Sequence, residues 1–172
     1  MVNEHKKLKE SVLYISQVAE PDDTFAKVKL CKLLYNIDFE AYLQFGKSVT
    51  EETYRKLEQG TVPTAVFSLL EDDKDVVLVN RLFHGYTQQK PVAMRDAETS
   101  IFTVEEIALI NLVVRRHWGQ TGTQMSNESH NFIGWRLAKD NEIIPLQAAL
   151  LEDRDLTESE KLYAKQFDMS AV

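Results

Sequence analysis

Residues 25–45, FAKVKLCKLLYNIDFEAYLQF, are apolar around almost the whole circumference of a helix, and such a helix belongs inside a fold. At about 100° per residue, Lys29, Lys32, Asn36, Glu40 and Gln44 share one narrow stripe. Cys31, Leu34, Tyr35, Ile37, Tyr42 and Phe45 cover the rest. The pattern predicts a central helix with one wet edge, along which Lys27, Lys29 and Lys32 lie as a solvated or snorkelling border. Asp38 projects opposite that edge. A carboxylate there must be hydrogen-bonded or paired, or it takes up a proton. Either it caps a loop N–H or binds a tyrosine hydroxyl or a histidine, or it is a functional carboxylate at a partner surface.

Around this helix the chain reads as α+β, a mostly helical single domain with a small antiparallel sheet of two or three strands. Leu8, Val12, Ile15 and Val18 predict an amphipathic helix over 4–19, stopped by Pro21. The run DDT at 22–24 offers N-caps for the central helix, and Gly46 a left-handed stop. Residues 53–57 predict a short strand, and Gly60 and Pro63 punctuate a loop. Pro63 also suits the first turn of a helix holding Val66, Phe67, Leu69 and Leu70. VVLVNRLF is a strand, turned near His84-Gly85 into a second one that reaches Met94. TVEE at 103–106 is a capping box for a helix to about His117, and TQMSNESH a shorter helix. EIIPLQAALL gives a strand or turn, then a helical turn begun by Pro145. A second box, TESE at 157–160, predicts a terminal helix, so residues 1–155 read as the domain and 156–172 as a C-terminal helical extension.

The 172 residues suit one domain with a core of its own. No apolar run is long enough for a transmembrane helix, and MVNEHKKLKE carries charges without the apolar segment of a secretory signal. One cysteine, Cys31, cannot form an internal disulfide, which suits a cytoplasmic location. A net charge of −7 argues against coating nucleic acid and favours a basic partner. No catalytic, cofactor-binding or metal-binding residues are assigned. The histidines His5, His84, His117 and His130 lack partners at metal-ligand spacing. FGKS at 45–48 lacks the upstream glycine of a phosphate loop. His130 is either a helix-end cap or the partner of Asp38 in a His–Asp pair, which would still need a nucleophile. Cys31 is expected to be buried and inert, and neither Ser126 nor Ser129 sits in a nucleophile elbow.

Two separated motifs carry a resemblance. KLCKLLYNIDFEAYLQFGKSVTEETYRKLEQGTVPTAV is similar to the opening signature of the Panacea antitoxin domain, the family that includes SocA-like antitoxins and many phage-associated proteins. The matching residues include Lys29, Lys32, Tyr35, Asp38, Phe39, Gly46, Tyr54, Gly60 and Pro63. SIFTVEEIALINLVV and MSNESHNFIGWRLAKDNEIIP resemble its second half, through Ser126, Ser129, His130, Gly134, Trp135, Ala138, Ile144 and Pro145. The likeness spans residues 7–151. Gln59 and Thr61 stand where the family has tyrosine and proline, which predicts a looser turn.

The resemblance implies an antitoxin that neutralises a cognate protein toxin by direct binding, in a toxin–antitoxin system. Lys32, Tyr35, Asp38, Gly46, Gly60, Pro63, His130 and Trp135 would be its structural or partner-binding signature. It also implies an alternative, an adaptor that delivers a partner to a protease, for which the small tail DMSAV is a candidate signal. An enzyme or ligand-binding domain using Asp38 and His130 is a third reading, and a DNA-binding repressor a poorer fourth.

Overall fold

A helix that is apolar all round needs partners on every side. The computed structural model, which describes residues 5–151, 158, 159 and 162, supplies them. In chain order the elements are α1 (Lys6–Val18), α2 (Lys27–Phe45), β1 (Tyr54–Leu57), β2 (Gly60–Pro63) and α3 (Val66–Asp72). β3 (Val76–Phe83), β4 (Tyr86–Ala93), α4 (Val104–Arg116), α5 (Gly122–Ser129), α6 (Ile133–Leu137) and β5 (Ile143–Ile144) follow. Single 3₁₀ turns lie at Thr99–Ile101 and Leu146–Leu150. The terminal helix expected from Thr157 falls largely outside the described residues.

Helix α2 is the axis. α1, α4, α5, β2 and the Leu146–Leu150 turn all pack against it. One face joins the main core, where Leu30, Leu33, Leu34 and Ile37 meet Leu8, Val12 and Ile15 of α1 and Ile110 and Val113 of α4. Each such side chain stabilises the fold by roughly 1.5–3 kcal/mol on full burial. Another face carries Tyr35 and Phe39 into a second cluster with Tyr54, Ile144 and Ala148, against which Phe132 and Trp135 pack.

The expected wet edge is only half there. Lys29 and Lys32 are both 1% exposed. Periodicity alone missed this because each lysine is matched by oxygens from distant segments. Lys29 Nζ lies 2.6 Å from Asp22 Oδ2 and donates to the His117 carbonyl at 2.7 Å. Burial opposes ionisation of Asp22, but Lys29 and the hydroxyl and amide of Thr24 outweigh it and hold the carboxyl below its ordinary range. Asp22 and Thr24 are therefore spent on Lys29, and α2 starts at Lys27 behind Ala26, which makes no side-chain cap. At the other end Gly46, at φ 73°, stops the helix as expected.

The small sheet is three-stranded, antiparallel and ordered β2–β1–β5. β3 and β4 form a separate two-stranded hairpin, turned at His84 (φ 45°) and Gly85 (φ 87°). Pro63 is the last residue of β2, opposite Tyr54, rather than the start of a helix, and α3 begins at Val66. Glu52 starts α3 instead, its Oε2 accepting from the Ala65 amide at 2.8 Å. Thr103 and Glu106 make the expected capping box of α4, and a further box, Thr121 with Gln124, opens α5.

Candidate functional site

Leu57 pairs with Gly60 across the β1–β2 hairpin, so Glu58 and Gln59 form a two-residue turn. A short turn leaves its carbonyls pointing away from the ladder, and buried ones need donors. Here three other elements supply them. Lys32 Nζ, from α2, donates to the Gln59 carbonyl at 2.7 Å and to the Thr61 carbonyl at 2.9 Å. Trp135 Nε1, from α6, donates to the Leu57 carbonyl at 3.0 Å. His130, the C-cap of α5, places Nε2 3.1 Å from the Glu58 carbonyl. A carbonyl only accepts, so that nitrogen carries the proton. His130 and Trp135 stack, ring centres 4.3 Å apart and 19° from parallel. Lys56 lies over the other part of the assembly, its Nζ 4.4 Å from the centre of the Trp135 ring and 2.9 Å from the Ala138 carbonyl.

Gly60 closes this arrangement. Its φ is +100°, and a Cβ there would lie 2.7 Å from Lys32 Nζ and collide with Ser129 Oγ. Burial pulls the Lys32 ammonium down to about 8, while the two carbonyls facing it favour the charged form. Gln59 and Thr61, which stand where the family has tyrosine and proline, are held here through their backbone oxygens. The Thr61 hydroxyl is buried without a hydrogen-bond partner.

Asp38 does a parallel task one helical turn and more along α2. Its Oδ1 accepts from the amides of Val49 at 2.8 Å and Thr50 at 2.9 Å. Its Oδ2 accepts from the Tyr54 hydroxyl at 2.7 Å and from the Thr50 hydroxyl. Burial pushes the carboxyl above its ordinary range, and these donors pull the other way. The first reading of Asp38, a cap for loop amides and a tyrosine, is therefore the observed one. The loop it holds runs from Gly46 to Tyr54 and includes Glu51 at φ 61°. Tyr35 stands nearby in a tilted stack with Phe39, ring centres 4.9 Å apart, its phenol pushed well up by burial.

The signature thus gathers at two places. Lys32, Gly60, His130 and Trp135 meet at the turn, and Asp38 and Tyr35 sit in or beside the second core, with Gly46 and Pro63 ending the elements on either side. The His–Asp pair is not formed, since Asp38 and His130 are each bound elsewhere. A groove of about 340 Å³ opens over Tyr35, Phe39 and Phe132, but neither Asp38, His130 nor Trp135 lines it. Burial pushes the Cys31 thiol up to about 12, and Ser129 Oγ donates to the Ser126 carbonyl at 2.7 Å. Among the described residues no group of three or more His, Cys, Asp or Glu is placed to hold a metal ion. No described helix is long and apolar enough to cross a membrane. Sequence reasoning missed Glu52 and the Thr121–Gln124 box; the second was legible as T-x-x-Q.

A scaffold whose signature side chains hold backbone in place, rather than converge on a reactive atom, is what these contacts define. The family model described as Antitoxin SocA-like, Panacea domain, matches residues 30–136, more than half of the chain, and the protein belongs to that family. Both gripped segments, the β1–β2 turn and the Asp38 loop, fall inside the match. No curated protein matches the chain, and no solved structure does.

Proposed function

We propose that this protein is an antitoxin that neutralises a protein toxin by direct binding, as a non-enzymatic partner in a toxin–antitoxin pair in the cytoplasm. The observation that carries this is the family match over residues 30–136. The geometry agrees with it. Lys32, Asp38, Gly60, His130 and Trp135 are spent on the chain's own backbone, so the signature serves the scaffold and recognition falls to the surface. The scaffold as proposed ends near residue 155, with 156–172 as an appendage. The adaptor alternative rests on the family resemblance, with the tail DMSAV, which lies outside the described residues, as its candidate signal.

The test is co-expression of the chain with each small neighbouring reading frame, scoring growth and co-purification. Rescue from a toxic neighbour together with a stable complex is the expected result. A toxic neighbour that is rescued without any complex would refute direct binding and move the argument to the adaptor reading. Absence of any toxic neighbour would refute the pairing.

A further inference from the structure

The groove over Tyr35, Phe39 and Phe132 does not end at its own rim. Leu151 lines it and also lines a second groove of about 370 Å³ between α6 and β5. The two grooves therefore adjoin at Leu151, one beside the C-terminal part of α2 and the other beside α6, β5 and the Leu146–Leu150 turn. Four large apolar side chains stand out along them: Leu43, Leu137, Ile143 and Leu151 are 43–54% exposed. Exposed apolar surface gathered in this way marks an interaction site more often than scattered leucines do. Among the described residues, the charged side chains lining the two grooves are Glu40, Glu128 and Glu142, all acidic. Each is already oriented: Glu40 by Arg116, Glu128 by the Gln120 amide and Glu142 by the Lys139 amide N–H at 2.6 Å.

We propose that this double groove is where the toxin docks, through an amphipathic helix with apolar anchors on one face and lysine or arginine beside them. The inference rests on the antitoxin reading and names its surface. A helix fits because the first groove offers the rings of Tyr35, Phe39 and Phe132 beside α2, the second offers Leu137 and Ile143, and a helix can seat anchors at i, i+4 and i+7 in successive apolar pockets. A basic flank fits because, among the described lining residues, Glu128 and Glu142 present carboxylates not paired with a cation in any salt bridge, in a chain of net charge −7. The competing surface is the β3–β4 hairpin, where Leu82 is 76% exposed and Phe83 and Tyr86 line a groove of about 310 Å³, but the charged residues lining that groove are Lys27 and Lys29, which do not suit a basic partner.

The experiment places a photo-crosslinking phenylalanine analogue at Leu43, at Leu151 and, for contrast, at Leu82, in the full chain co-expressed with the neighbouring toxin. The expected result is a crosslink to the toxin from Leu43 and Leu151, mapping to a helical peptide with lysine or arginine, and none from Leu82. In parallel, Leu43→Glu and Leu151→Glu are expected to weaken toxin binding at least 100-fold while Leu82→Glu changes it less than threefold. Near-native circular dichroism keeps those losses interpretable. Crosslinking from Leu82 alone would overturn the groove assignment and leave the antitoxin reading standing. Crosslinks only to residues 152–172 or to a second copy would also overturn it, assigning the groove to the chain itself. No complex with any neighbour, at any position, would sink the antitoxin reading and this inference with it.

Discussion

Asp38→Ala should be among the most destabilising single changes in the chain, and the structure says by how much. The side chain occupies two amides, Val49 and Thr50, and two hydroxyls, Thr50 and Tyr54, all on buried residues. The hydroxyls can rotate toward other partners; the Thr50 oxygen already accepts from the Glu52 amide. The amides cannot rotate. An orphaned buried donor costs roughly 1–3 kcal/mol, so two cost about 4 kcal/mol. Losing a buried carboxylate returns some desolvation energy, and the cavity left behind takes some of it back. The net expectation is about 4 kcal/mol, or a melting temperature lower by roughly 10 °C. Asp38→Asn separates this account from simple packing loss. Its Oδ1 can keep both amides and its NH₂ can face hydroxyls that turn to accept, so it should cost only about 1 kcal/mol. Urea unfolding followed by circular dichroism reads both variants as shifts in midpoint at constant slope. Asp38→Ala within about 1 kcal/mol of the parent, or Asp38→Asn as damaging as Asp38→Ala, would refute the reasoning.

The β1–β2 turn gives two more tests. Gly60→Ala should cost about 3 kcal/mol or more, because it adds a Cβ at φ +100° against Lys32 and Ser129; Gly46→Ala, at φ 73° with open space around it, should cost only about 1 kcal/mol. Equal losses by thermal unfolding would mean that the close approach carries no weight. The second test concerns the proton on Lys32, whose pKa falls from 10.5 to about 8. Between those values the unfolded chain binds more protons than the folded one, so this residue makes stability rise with pH, after a full penalty below about 8. Lys32→Met should therefore lose ground against the parent by up to about 3 kcal/mol between pH 8 and 10.5, whatever its fixed cost in lost hydrogen bonds. A difference between the two proteins that stays flat with pH would dispose of the idea.

Much of this molecule could be read from the chain because its signals are local. The apolar sweep of residues 27–45, the Thr103–Glu106 box, Gly46 and the short β-branched run VVLVNRLF each depend on neighbours a few residues away. What escaped is non-local. Lys29 and Lys32 looked like solvent-facing residues because nothing within a few positions announces that backbone carbonyls from residues 59, 61 and 117 will meet them. The attraction of pairing Asp38 with His130 failed for the same reason, since each found donors or acceptors in a separate loop. Pro63 has a local helix-starting preference, and the register of β1 against β2 overrides it. The groove was invisible because it forms only where α2, α6 and β5 come together.

The gripped turn also bears on how this chain must acquire its structure. The residues that hold the Leu57 and Glu58 carbonyls lie 78 and 72 positions downstream. A chain synthesised only as far as this hairpin has Lys32 but neither His130 nor Trp135, so the Leu57 and Glu58 carbonyls still lack those two donors. The two halves of the family motif are in this sense joined at one hairpin, completed only when Trp135 has been made. The toxin groove proposed above, lined by α2 and α6, would inherit that timing, and neutralisation through it would begin only once both helices are in place.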